Sequence, residues 1–143
     1  MKSLENSTVN IKIKLALLWA SVMACYIYCD YFQLYVPGKT QGLLDGNNLL
    51  NTPVKLFLAS LLLTVPALMI SIPVFLKPKI ARFLHIILGI FYTLLMLLIV
   101  ISVAGDEWLS FYLFMALTES ALTFIIVWHA WNWPKQSSQK LSK

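Results

Sequence analysis

A bundle of four membrane-spanning helices is the all-α fold this sequence predicts, and three observations predict it. Four long apolar stretches fill the 143 residues, of which 59% are hydrophobic and only 12% charged. The mean hydropathy of +0.77 leaves too little polar surface to cover a soluble domain of this size, so lipid must be the solvent for most of the chain. The basic residues flank the apolar stretches instead of interrupting them, as membrane topology requires. The spans and their connections use up the length, so one membrane domain over 1–143 is expected.

The spans fall at about 12–36, 53–76, 80–104 and 107–133, each longer than the roughly 20 residues that cross a bilayer core. Pro37-Gly38 is a turn signal closing the first span. In the polar connection that follows, Leu43, Leu44, Leu49 and Leu50 let the chain lie against the membrane surface. Thr52-Pro53 reads as an N-cap followed by proline at the first helical position, and it opens the second span. Pro66 and Pro73 inside that span each remove a backbone donor and crowd the preceding turn, so a kinked helix is expected. Lys77-Pro78-Lys79 is a tight polar break, and Gly105 ends the third span. Asp106 and Glu107 stand at the start of the fourth span, where a positive helix end favours them. A Ser/Gln/Lys tail over 134–143 is expected to be disordered in the cytoplasm. The short second and third connections should make neighbours of spans two and three, and of spans three and four.

Charge sets the orientation. With four crossings, Lys2, Lys12, Lys14, Lys77, Lys79, Arg82, Lys135, Lys140 and Lys143 all fall on one side. Only Lys39 and Lys55 fall on the other, with Asp45, Asp106 and Glu107. The positive-inside rule then puts both termini in the cytoplasm, on the wrong side for glycosylation of the Asn6-Ser7-Thr8 sequon. A net charge of +5 does not imply a nucleic-acid partner, because the basic residues form no patch interleaved with stacking aromatics. The expected partners are the lipid bilayer and either a second copy of the chain or another membrane protein. No cofactor is expected.

Two cysteines, Cys25 and Cys29, share one face of the first span. They are not a CxxC redox pair, and packing is their expected role. Val22-Met23-Ala24-Cys25 loosely resembles a lipoprotein cleavage box, but apolar and aromatic residues continue after it, so the first span is read as retained.

Ionisable groups inside the spans carry the functional lead, since they are costly there and seldom kept without a use. Counting rise per residue puts Glu119 near the bilayer midplane. Ser21 and Cys25, Thr64, and Tyr92 and Thr93 come to similar depth on the other spans, and Thr118, Ser120 and Thr123 flank it. A carboxyl at that depth is expected to be neutral and able to donate one hydrogen bond, either as a proton-responsive or ligand-binding group or as a tie between helices. Asp30 lies nearer the opposite surface, on one stripe with Trp19, Tyr26 and Gln33. A cleft lined by Tyr26, Asp30 and Gln33 is one expectation. An Asp30–Lys55 ion pair that fixes helix packing is the other. His85 and His129 each stand about one turn above the cytoplasmic ends of spans three and four, at a depth where they could face each other around a metal or a haem. Two histidines are a thin ligand set, so no metal is expected. The preferred reading makes them interfacial, in an aromatic belt with Arg82, Trp128, Trp131 and Trp133.

Tyr26-x-Tyr28-x-Asp30 ahead of Pro37-Gly38, and the segment from Pro66 through Arg82-Phe83-Leu84-His85-Ile86 to Gly89, resemble an uncharacterised bacterial family of small four-helix integral membrane proteins, a domain of unknown function. Where that family's pattern has asparagines around the arginine of the third span, this chain has Ala81 and His85. The resemblance implies the four-helix architecture and a bacterial inner membrane, and it implies no activity.

The sequence has no glycine-rich phosphate loop, nucleophile elbow or HExxH. A non-enzymatic protein is therefore expected, one that binds a small or lipidic ligand or a membrane partner around the polar seam of spans one and four. A small proton-coupled transporter using Glu119 is the alternative. An enzyme acting on lipid or isoprenoid, with Asp30 or Glu119 as acid or base, ranks third. The charge segregation makes a direct prediction: reporter fusions after Lys79 and after Lys143 should report cytoplasm, and a fusion near Gly46 the outside. An external signal from the C-terminal fusion would mean the number of crossings is odd.

Overall fold

Asn10 starts the first helix, α1 (Ile11–Gln33), by accepting the Lys12 amide on its Oδ1 at 2.9 Å. A cap of this kind contributes about 1 kcal/mol. The computed structural model in which it is seen describes residues 9–134. The Asn6 sequon and the tail beyond residue 134 lie outside the described residues. Gly38, with φ of +78°, takes a left-handed conformation closed to most side chains. It turns the chain into a short helix, α2 (Lys39–Leu44), within the polar connection between the first two spans. Thr52 then caps α3 (Pro53–Phe75) as its sequence predicts, its extended backbone letting Oγ1 accept the Lys55 amide. Pro78 at the first helical position opens α4 (Pro78–Val103) after a two-residue link, here without a side-chain cap. Asp106 accepts the Trp108 amide on Oδ1 at 2.9 Å and begins a single 3-10 turn, Glu107–Leu109, which leads into α5 (Ser110–Trp131). Among the described residues there is no strand.

Helices α1, α3, α4 and α5 are each long and apolar enough to cross a membrane, and they run antiparallel in chain order. Their outer faces fit lipid. On α4 the exposed residues from Phe83 to Ile101 are Phe83, Ile87, Ile90, Phe91, Leu94, Leu97, Leu98 and Ile101, all of them apolar. The inner faces hold Leu15, Trp19, Val22 and Ile126, each without accessible surface.

The end of the bundle that carries α1's start and α5's finish is locked by basic side chains on carbonyls. Lys12 Nζ donates to the carbonyls of Val74 and Leu76, which α3 leaves without amide partners as it ends. Arg82 donates to the Trp131 carbonyl at the end of α5, at 3.1 Å. Each cation meets the negative end of a neighbouring helix.

The largest helix–helix interface joins α4 to α5, and α1 packs on both α5 and α3. At the α4–α5 crossing a Cβ on Gly89 would lie 2.6 Å from Val127 Cγ2, so any side chain here would have to displace Val127. The Thr93 and Thr123 hydroxyls meet across the same seam at 2.8 Å. One expected neighbour relation is corrected here. Spans two and three, α3 and α4, touch only sparingly in spite of their two-residue link. The link ties their ends together, while a cavity occupies the space between them farther along.

What fastens α3 to α4 at mid-height is one hydrogen bond. Pro66 has no N–H to offer the carbonyl of Leu62 four residues earlier, and Tyr92 Oη donates to that carbonyl from α4. The Tyr92 ring meets Trp19 edge-on at 5.9 Å. Two expected outcomes follow. Tyr92→Phe should cost about 1–2 kcal/mol in a reversible unfolding titration, since it leaves a carbonyl without a donor inside the bundle. Gly89→Leu should cost more, about 3 kcal/mol, by forcing α4 from α5. A Gly89→Leu protein that melts like wild type would show that the two helices separate at no cost.

Candidate functional site

Two adjoining hollows open the loop end of the bundle, the end that carries α2. The deeper, about 250 Å³, lies between α1, α3, α4 and α5 and is bounded by Tyr26, Asp30, Tyr92, Tyr112 and Glu119 with leucines and Met96. The shallower, about 450 Å³, lies under the α1–α3 connection and is bounded by Asp30, Gln33, Lys39, Asn47, Asn48 and Tyr112. Asp30, Leu50 and Tyr112 belong to both, so they form the neck of one continuous cleft. Toward the opposite end the cleft is closed by the filled core around Trp19, His85 and Ile126.

The geometry joins the two carboxylate clusters that depth counting keeps apart. Glu119 is 3% exposed, and its Oε1 has no hydrogen-bond partner. Ser120 and Thr123, beside it on α5, turn their hydroxyls back to the helix carbonyls of Ala116 and Glu119, so they do not satisfy the carboxyl. Tyr26, 7% exposed on the facing side of α1, likewise has a hydroxyl with no partner. Asp30 stands one turn of α1 beyond Tyr26 on the exposed wall of the neck, and Gln33 stands in the shallower hollow. Tyr92 lines the deeper hollow, but its hydroxyl hydrogen is already committed to Leu62. An apolar cavity with buried, unpaired polar atoms at its margin is the form a ligand site takes.

Several expected members are elsewhere. Ser21 bonds Leu17 O and Thr64 bonds Ser60 O on exposed faces of their helices, and Thr118 bonds Phe114 O. A hydroxyl that can reach its own helix carbonyl at i−4 has no need of the seam. Cys29 lines the deeper hollow, while Cys25 is half-buried beside it. Lys55 donates to Asn51 at 2.9 Å, and the expected Asp30–Lys55 pair is not formed. The side chain four residues back is within easier reach than a carboxylate on another helix.

His85 is also corrected. It does not stand on the surface with an aromatic belt but is fully buried in the bundle, its Nδ1 accepting from Trp19 Nε1 at 3.0 Å and its ring stacked 6.4 Å from Trp133. Because Nδ1 accepts, the neutral ring carries its hydrogen on Nε2, which has no partner. No hydrogen bond joins it to the half-buried His129. Arg82 is spent on the Trp131 carbonyl. Among the described residues no three of His, Cys, Asp or Glu converge in a way that would hold a metal.

Tyr112 is the site residue that depth counting passes over. It sits seven positions before Glu119, two helical turns along the same face of α5, and that spacing was the available signal.

Fold and cleft together define a small membrane domain of four apolar helices with a polar-margined hollow at one end. The chain belongs to DUF6326, a family of unknown function, whose match covers residues 1–140. No curated protein and no solved structure matches it.

The burial of Glu119 makes a prediction by substitution. Glu119→Gln should accumulate and melt like wild type, because it keeps the size and the capacity to hydrogen bond. Glu119→Lys should fail to accumulate, since a charge at this depth costs about 3 kcal/mol. Normal accumulation of the lysine variant in a fluorescent-fusion assay would mean that position 119 faces water.

Proposed function

We propose that this protein sits in a bacterial inner membrane with both termini in the cytoplasm and binds a small or lipidic ligand in the cleft, which then opens outward. The observation that carries this reading is the state of Glu119 Oε1 and Tyr26 Oη. Both are buried without partners, on residues that line one apolar hollow. A buried polar atom left unpaired costs about 1–3 kcal/mol, and a bound ligand is a means of recovering it. Access is available from two directions: along the neck at Asp30, and between α3 and α4, where the helices barely touch. The closed end around Trp19 and His85 supports binding over proton-coupled transport, which needs a path past Glu119 to both sides.

A second reading has one observation in its favour. Two carboxyls and three tyrosines bound the same hollow, which is the convergence an acid–base enzyme acting on lipid or isoprenoid would use.

Native mass spectrometry of the protein released from its own membranes tests the binding reading. Ala59 lines the hollow on α3, so Ala59→Trp should fill it. Wild type should carry a non-covalent adduct that the Ala59→Trp protein lacks. Identical spectra from the two folded proteins would refute binding in this cleft. An adduct chemically converted by wild type but retained unchanged by Glu119→Gln would instead favour the enzyme.

A further inference from the structure

We propose that the ligand of the cleft is a lipophilic monocation, its positive centre held between Asp30 and Glu119 and its apolar body against Leu62, Leu63 and Met96. This assignment rests on the binding reading above and adds the sign of the ligand to it.

The charge inventory of the deeper hollow is one-sided. The ionisable side chains bounding the deeper hollow are two carboxyls, three phenols and the Cys29 thiol, none of which can bear positive charge. The basic side chains near it are held elsewhere or lie outside. Lys55 is drawn to Asn51, and Lys39 borders only the shallower hollow. At the other end, Lys12 and Arg82 are bound to helix carbonyls. An anion entering the deeper hollow would meet two acids with no compensating cation. A neutral lipid could hydrogen bond to one acid, but it would bring no positive charge to a hollow bounded by two.

A cation resolves what the empty hollow leaves open. Glu119 Oε1 lacks a donor, and a positive centre beside it would favour the ionised carboxylate over the neutral acid, each charge then compensating the other out of water. Tyrosines 26, 92 and 112 add aromatic faces, which attract a desolvated cation by about 2 kcal/mol at best. A bare metal ion is a poor fit. The hollow's remaining walls are leucine, isoleucine, methionine and alanine, and among the described residues no three of His, Cys, Asp or Glu converge to hold a metal. The ligand must therefore carry its own apolar body. Asp30 in the neck and Glu119 deeper in place two acids in series, so the cation meets the first before it reaches the second.

The test uses wild-type protein in phosphatidylcholine nanodiscs with tritiated decyltrimethylammonium, and with decanol and decyl sulfate as competitors of equal chain length. The cation should bind saturably and about tenfold or more tighter than decanol, and decyl sulfate should not displace it. Glu119→Gln and Asp30→Asn should each weaken the cation by about tenfold and leave decanol unchanged. Thermal melts check that the variants are folded, and Asp30→Asn, on the exposed wall, keeps the test open should Glu119→Gln be unstable. Equal affinity for cation and decanol, or unaltered cation binding in both variants, would overturn the sign of the ligand while leaving a binding cleft. Binding of any probe that persists undiminished in Ala59→Trp, or no saturable binding at all, would overturn the cleft reading itself.

Discussion

The hydroxyl of Tyr92 on the carbonyl of Leu62 is the contact on which the arrangement of this bundle turns. Lipid offers no hydrogen bonds, so every backbone group in a spanning helix must find its partner inside the protein. Pro66 breaks that rule within α3, and α4 repairs it with a side chain. The repair does not stand alone. The Tyr92 ring leans on Trp19, the Trp19 indole donates to His85, and the His85 ring stacks on Trp133. A continuous run of contacts thus ties α3 to α4 and α1 and reaches the end of α5. Since α3 and α4 share little else, the position of α3 follows from this run and from its packing on α1.

The two ends of the molecule differ in kind. At one, small residues let the helices close. Gly89 admits Val127 to near contact, Ala81 and Ala130 are wholly enclosed, and threonine hydroxyls bridge the seam. At the other, the tyrosines and carboxyls of α1 and α5 hold the helices off one another, and the space goes unfilled. Small side chains draw membrane helices together by shape, and bulky polar ones at the same positions prevent it. The cleft is therefore a result of where the small residues stop along α4 and α5.

Much of this was legible before any coordinates. Span positions, the Thr52-Pro53 start and the Pro78 start depend on local rules, and local rules hold here. The acids Asp30 and Glu119, read as separate features by depth, prove to bound one hollow. What escaped was rotational. His85 lies on the face of α4 that also carries Ala81, Gly89, Tyr92 and Met96, and that spacing marks it as a packing residue. Its nearness to the helix end suggested an interfacial place instead. Lys55 has the right depth to meet Asp30, but Asn51 on its own chain was nearer. A short link between spans two and three implied contact along their length, whereas it constrains only two ends. Depth along a helix can be counted from sequence, but direction around it needs the partner helices.

The clamps made by Lys12 and Arg82 bear on how the chain comes to be assembled. Each basic group sits at the start of one helix, and the carbonyls it holds belong to the finish of a helix made later: α3 for Lys12, α5 for Arg82. While the chain is being threaded into the bilayer, neither partner yet exists, and both cations are free to face phosphate headgroups. That is the condition under which positive charge fixes the direction of insertion. Once the later helix arrives, the same charge has peptide carbonyls to bind. Closure of the bundle thus waits on the later helix, and a helix inserted the wrong way round would lack the cation that caps its end.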